Sequence, residues 1–487
     1  MPDVYFFALG GDFLVTVDQF GVVLACGQND AGQLGLRATP HIDSITQQRG
    51  LLGAIEFDLE ADEHNAVMVS AGRKHAAFVT RSGSVYTWGY GWHGQLGAGV
   101  QREYSFPQPT PQLAYSALMH GSRATMIACG NTYTLLLTAS GHVWGCGSNR
   151  HFQIGAQNMD DPPQVTYRDI QVFTRIPPTR FDSGDSDSQI AFIAAGFNHS
   201  AAVGRTNGLL WTWGNGLGGQ LGHGDGGHGC SAPVPTHLPH ETFGEAVVSV
   251  SVCRNITMAV TGSGALWASG KSTLGTLGLG EVLRCVAFQR VGTADDFGEG
   301  GVRNVVCSRW HSLILSYDGS VRVCGSIDSG CFHRHGGENY DTYFVPTLIN
   351  RVYFKNEPVV LVSASETHSV AVTKSGRLLT WGFEAPDYFG GLARTHAYGT
   401  DGEPFPWLPR QVLRTNIPNQ RIQLFGLWQY PIGVDEMLAF AMGKHLRLGT
   451  ETCYGDAPDE VLQCIWASLM VPGASHFGIG LQNLLGI

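Results

Sequence analysis

The chain has 487 residues, a formal net charge of -10, 43% hydrophobic residues, only 14% charged residues and 65 glycines. This composition supplies a large core and excludes a disordered polymer, while the excess of acid over base argues against general affinity for nucleic-acid backbones. Eleven cysteines, an odd number scattered without a paired CxxC, fit strand-core thiols better than a disulfide framework, and no apolar run reaches the roughly 18 to 20 residues that a membrane helix needs.

The N-terminal segment, MPDVYFFALGGDF, has no basic stretch leading into an apolar one, so no secretory signal is expected and the location is read as cytoplasmic or nuclear. From here a frame recurs: a glycine, an apolar residue two positions on, Trp, Cys or Ser at five and a second glycine at six. It occupies Gly21 to Gly27, Gly83 to Gly89, Gly141 to Gly147, Gly208 to Gly214, Gly264 to Gly270, Gly319 to Gly325 and Gly376 to Gly382, at intervals of 55 to 67 residues. Seven such copies mark a repeat architecture.

Ahead of each frame from the second onward stands a second element, such as VSAGRKHAAFVT (Val69 to Thr80) or IAAGFNHSAAVG (Ile193 to Gly204). It reads as two short strands joined by a tight turn. After the frame comes a glycine-rich turn, GQLG in its fullest form but degraded to SIDSGCF in the sixth unit and FEAPDYFGG in the seventh, and then a Pro-containing strand start, as at Val345-Pro346 and Leu408-Pro409. Four short strands per unit predict a propeller blade, and seven blades around a channel let each sheet cover its neighbours. The expected fold is therefore all-β: a seven-bladed propeller over residues 1–433 with a short helical extension over 434–487.

Within a blade the frame glycines are assigned to positive φ and close backbone approach. Trp88, Trp213 and Trp381 are assigned to packing between sheets, and Leu34, Leu96, Leu221 and Leu277 to blade packing. Blade one starts at once with Val4 to Phe7, and a spare Pro-containing strand follows blade seven near Pro409 to Val412. The C-terminal segment is accordingly expected to complete the first blade. Ser183 to Ser188 reads as an acidic loop; beyond Val434, Asp435 to Lys444 and Pro458 to Met470 read as two short helices.

The repeated G-x-x-H turn, T-W-G strand end and G-Q-L-G turn resemble the repeats of the RCC1 (regulator of chromosome condensation) family over roughly residues 1–425. The resemblance implies a seven-bladed propeller and one of three roles: nucleotide exchange on a small GTPase, adaptor work in ubiquitination or trafficking, or light sensing. The member that exchanges nucleotide on Ran presents acidic side chains between the Gly and His of these turns. Here the turns hold Gly11 and Asp12, Arg73 and Lys74, Asn131 and Thr132, Phe197 and Asn198, Arg254 and Asn255, Arg309 and Trp310, and Glu366 and Thr367. Four of these are basic and two acidic, so the acidic exchange face is not reproduced. The ultraviolet receptor's Gly-Trp-Arg-His-Thr motif is approached only at Ser308-Arg309-Trp310-His311-Ser312, which argues against light sensing. The helix at Pro458 to Met470 is read first as a short amphipathic cap; its faint similarity to the opening helix of an F-box implies, as a further alternative, a substrate receptor for a ubiquitin ligase.

No chemistry of an enzyme emerges. Gly89-Tyr-Gly91-Trp-His-Gly94 fits a dinucleotide fingerprint but leads into another turn, where no helix N-terminus can cradle a phosphate. His223, Asp225, His228 and Cys230, and Cys331, His333 and His335, are metal-ligand types at incomplete spacing. His75, His199, His311 and His368 recur blade after blade and are assigned to a structural hydrogen bond within the turn. The reading is a monomeric, non-enzymatic protein-interaction scaffold without metal or cofactor. Its candidate partner-binding residues are Asp12, Arg73, Lys74, Asn131, Asn198, Arg254, Arg309, Trp310 and Glu366, and a small GTPase is the alternative partner.

Overall fold

The computed structural model describes residues 4–18, 21–35, 53–54, 66–99, 108–116, 120–156, 169–182, 189–224, 231–272, 274–326, 342–366, 368–375, 377–382 and 410–411. They form seven four-stranded antiparallel sheets, each built from four consecutive strands in simple order. Blade two is typical: Ala66–Ala71, His75–Thr80, Val85–Gly89 and Gln108–Tyr115. All described residues belong to a unit spanning Met1–Pro431; the helices predicted at 435–444 and 458–470 fall in a second unit, Ile432–Ile487, outside the described residues. The predicted acidic loop at 183–188 also lies outside them. Among the described residues no helix is long and apolar enough to cross a membrane.

The first strand of each sheet approaches the first strand of the next, and that of blade seven, Val359–Ala364, returns to that of blade one, Val4–Leu9. These strands therefore lie innermost, around the axis. In every blade a bulge interrupts the pairing of the first strand with the second within its first three residues, as between Ala66 and Met68; bulges of this kind increase local twist. The second strand is buried along its whole length in blades two to seven, because one blade covers each of its faces.

Ring closure differs from the sequence expectation. Arg410–Gln411 pairs with Leu378–Gly382 and is the outer strand of blade seven, while blade one has its own outer strand at Gly53–Ala54. The C-terminal segment thus completes the seventh blade. Blade one's outer strand is two residues long and lacks the proline found in those of blades two, four and six, so it carries no sequence signature.

The core follows the repeat. Trp88, Trp213 and Trp381 are fully buried, and Leu34, Leu96, Leu221 and Leu277 are buried in the turns that follow the third strands. The frame glycines of blades one to six lie at positive φ, from +61° at Gly208 to +126° at Gly270. At Gly89 a Cβ would also sit 2.6 Å from the Lys74 carbonyl oxygen, so both conformation and space demand glycine there.

Candidate functional site

The antiparallel order places the turn between strands one and two, and the loop between strands three and four, at the same end of each blade. The Tyr90 amide donates to the Lys74 carbonyl at 2.8 Å, tying the two turns of blade two together. This end carries all nine candidate residues; the T-x-S-G-type hairpins between strands two and three occupy the other.

The G-x-x-H turn is shaped by its neighbours. A Cβ on Gly72 would lie 2.2 Å from the Gly130 carbonyl of the next blade and 2.5 Å from Cε1 of His75. Gly130 repeats this against the Gly196 carbonyl at 2.6 Å and the Tyr133 ring at 2.3 Å. The glycine thus admits both the next blade's backbone and the ring three residues on. Where blade six has Ser308 in that place, its hydroxyl meets His311 Nδ1 at 3.1 Å.

The histidines do not bond only within their turns, as the sequence suggested, but reach across to the next blade. His75 Nε2 lies 3.0 Å from Thr134 Oγ1, His199 Nε2 2.9 Å from Thr257 Oγ1, and His311 Nε2 2.7 Å from Ser369 Oγ. Thr134 and Thr257 spend their single protons on the Gln95 and Gln220 carbonyls, at 2.7 and 2.6 Å. The imidazole of His75 or His199 must therefore donate from Nε2, which fixes it as the neutral Nε2–H tautomer. Burial pushes the pKa of His75, His199 and His311 down to about 3. Blade three substitutes Tyr133, whose hydroxyl donates to the His199 carbonyl at 2.6 Å and lies 2.8 Å from Ser200 Oγ.

The fifth frame position is a second clasp that the sequence pattern left unexplained. Trp88 Nε1 donates to the Gln33 carbonyl at 2.8 Å and Trp213 Nε1 to the Gln153 carbonyl at 3.0 Å. Cys146 donates to the Gln95 carbonyl at 3.5 Å, and Ser269 to the Gly219 carbonyl at 2.7 Å. Trp, Cys and Ser alternate there because each supplies a hydrogen to the preceding blade's turn. These thiols are core groups: burial pushes Cys26 and Cys324 up to about 12.

With the histidines spent on the scaffold, the candidate residues are left to shape the surface of the turns, two of them exposed and seven half-buried. Arg73 and Arg254 are exposed, and Arg254 lies over the Phe197 ring at 5.6 Å. Lys74 Nζ meets Asp30 Oδ2 at 2.6 Å. Arg309 stacks on Trp310 at 4.3 Å and meets Glu366 Oε2 at 3.3 Å across to blade seven. Asp12, Asn131 and Asn198 are half-buried. Backbone bonds from Gly11 N to Arg73 O and from Asn131 N to Gly196 O bring neighbouring turns together. His223, one of the metal-ligand types, bonds Thr212 Oγ1 at 2.8 Å, and among the described residues no cluster of three or more His, Cys, Asp or Glu could hold a metal.

The sequence pattern of an RCC1-like domain matches residues 2–296. The chain belongs to the RCC1-like family. It is 29% identical over 384 residues to the Arabidopsis thaliana ultraviolet-B receptor UVR8, covering 78% of this chain and 77% of that protein. It is 26% identical over 348 residues to the Caenorhabditis elegans X-linked retinitis pigmentosa GTPase regulator homolog, covering 56% of this chain but 24% of the relative. Among solved structures, yeast RCC1 (Prp20) bound to Kap60 superposes with a TM-score of 0.62 at 20% identity, over 85% of each chain. That likeness supports the RCC1-type seven-bladed ring.

Proposed function

We propose that this RCC1-like propeller is a non-enzymatic regulatory scaffold that captures a protein partner on the end bearing the Gly-to-His turns. The observation that carries the reading is the Arg309–Trp310 stack with the exposed Arg254 on the neighbouring blade-five turn and the exposed Arg73 at the same end of blade two, since Arg and Trp are the residues that anchor interfaces. A rigid ring presenting short loops at one rim suits binding. The titratable groups that could have served catalysis, His75, His199 and His311, are held neutral in bonds between blades. The test is affinity capture with Arg73, Arg254 and Arg309 changed together to Glu. Loss of partners with an unchanged melting temperature is expected; unchanged capture overturns the assignment of this rim.

Nucleotide exchange on a small GTPase is the second reading. Asp12 and Glu366 lie on the turns of blades one and seven, whose innermost strands meet at the closure, and one relative is named a GTPase regulator homolog. Exchange predicts faster GDP release from one member of a purified GTPase panel, abolished by Asp12→Ala with Glu366→Ala; no acceleration across the panel ends this reading.

A further inference from the structure

The loops between strands three and four of blades four and five bring together a set of residues that the repeat pattern gave no reason to notice. Lys271, at the end of Leu266–Lys271, stands directly opposite Arg284, the first residue of Arg284–Val291, in the antiparallel register. Directly paired residues point to the same side of a sheet, and like charges so placed repel. Both are exposed, and among the described residues no ion pair joins either to a carboxylate. Glu281 is exposed in the same loop and forms none.

Two large apolar side chains flank this pair. Leu217, in the blade-four turn, is 68% exposed, and its carbonyl accepts from Arg284 Nη2 at 3.2 Å. Leu283 is 52% exposed, and its carbonyl accepts from Ser272 N at 2.8 Å. A Cβ on Gly218 would lie 3.4 Å from Lys271 Cβ, so the blade-four turn rests against the cationic pair. Lys271 N donates to Asn255 O at 2.9 Å, which sets the exposed Arg254 beside the group.

We infer that this corner of blades four and five is a docking site for an acidic protein segment carrying a large apolar side chain between carboxylates. The inference rests on the scaffold reading and names the partner's chemistry. Opposed cations cost stability in the free protein, and carboxylates laid between them relieve that cost; the exposed leucines receive the apolar side chain. A phosphate backbone fits less well. Three cations make a short footprint, the chain as a whole is acidic at -10, and a nucleic-acid backbone has no use for two aliphatic side chains.

The probe is a fluorescein-labelled synthetic peptide, Gly-Glu-Glu-Phe-Glu-Glu-Gly, followed by fluorescence anisotropy with the full chain. Three further probes are its Lys-for-Glu analogue, its Ala-for-Phe analogue and a short single-stranded RNA. Binding of the acidic Phe peptide is expected to weaken with added salt. It should disappear in Lys271→Glu with Arg284→Glu, and fall about tenfold in Leu217→Ser, the scale of one lost apolar anchor. Lys271→Glu alone should raise the melting temperature, by pairing with Arg284, while it removes binding; a variant that lost binding by misfolding would melt lower. The inference is overturned if the acidic peptide does not bind, if binding survives the double reversal, or if the RNA binds the same residues as tightly. If Arg73→Glu with Arg309→Glu abolishes partner capture while Lys271→Glu with Arg284→Glu leaves it intact, the scaffold reading stands and this site does not.

Discussion

Acidification should loosen the ring through its buried histidines, by an amount that can be worked out. His75, His199 and His311 have folded pKa values near 3 against an ordinary value of 6.5, because burial penalises the imidazolium. His75 Nδ1 and His199 Nδ1 have no hydrogen-bond partner, and a proton placed there would add an unpaired buried charge. The folded pKa is depressed, so the unfolded chain takes up protons first, and stability present above pH 6.5 is lost as pH falls toward 3. At about pH 5 each imidazole costs about 2 kcal/mol, and the three together about 6 kcal/mol, from roughly 1.4 kcal/mol per unit of difference. That is comparable with the roughly 5 to 15 kcal/mol that holds most proteins folded. Urea unfolding followed by tryptophan fluorescence at a series of pH values measures it. Carboxylates contribute to the same curve, so the decisive comparison is His199→Tyr, which copies Tyr133 of blade three. The variant should lose about one proton of uptake between pH 6.5 and 4. An unchanged pH slope would refute the assignment of a buried neutral imidazole.

Four other outcomes follow from the same geometry. Gly130→Ala drives a methyl group into the Gly196 carbonyl and the Tyr133 ring, and should cost about 3 kcal/mol or more, read as a lower urea midpoint. Trp213→Phe removes one of two donors to the Gln153 carbonyl and should cost about 1 to 3 kcal/mol beyond its small change in volume; a neutral result would show that the Ser200 hydroxyl suffices. Lys74→Ala breaks a partly exposed ion pair with Asp30 and should change stability by less than about 1 kcal/mol, which qualifies rim substitutions as tests of binding. Cys26, Cys146 and Cys324 should react with a thiol reagent only when the protein unfolds; fast labelling of the native chain would contradict their burial and raised pKa values.

The number of blades and their strand order were legible because glycine at positive φ admits few substitutes, so the frame repeats almost without variation. What ties one blade to the next was not. His199 and Thr257 are 58 residues apart, and a threonine at the second place of a buried strand looks like any other small strand residue. The alternation of Trp, Cys and Ser at the fifth frame position was visible as a pattern, yet its cause became plain only when Gln33, Gln95, Gln153 and Gly219 supplied the acceptors. Closure was misread because Gly53–Ala54 carries no strand signature of its own. At the candidate rim the turn residues could be named from the repeat, whereas the opposition of Lys271 and Arg284 depends on register, which 12 intervening residues of loop and turn do not disclose.

The clasps between blades also govern how such a ring can vary. The place that receives the histidine's hydrogen holds Thr134, Ser200, Thr257, Ser312 and Ser369 in blades three to seven, but Leu14 in blade one and Ala76 in blade two. Any of the last five blades therefore offers a hydroxyl to whatever precedes it, so that removing blade three, for example, would set His75 opposite Ser200 in place of Thr134. Blades one and two offer none, and Phe13 faces Ala76 across their boundary with no polar group to satisfy. The molecule thus has an interchangeable arc and a fixed pair, and lineages that shuffled its repeats would be expected to cut and rejoin within the former.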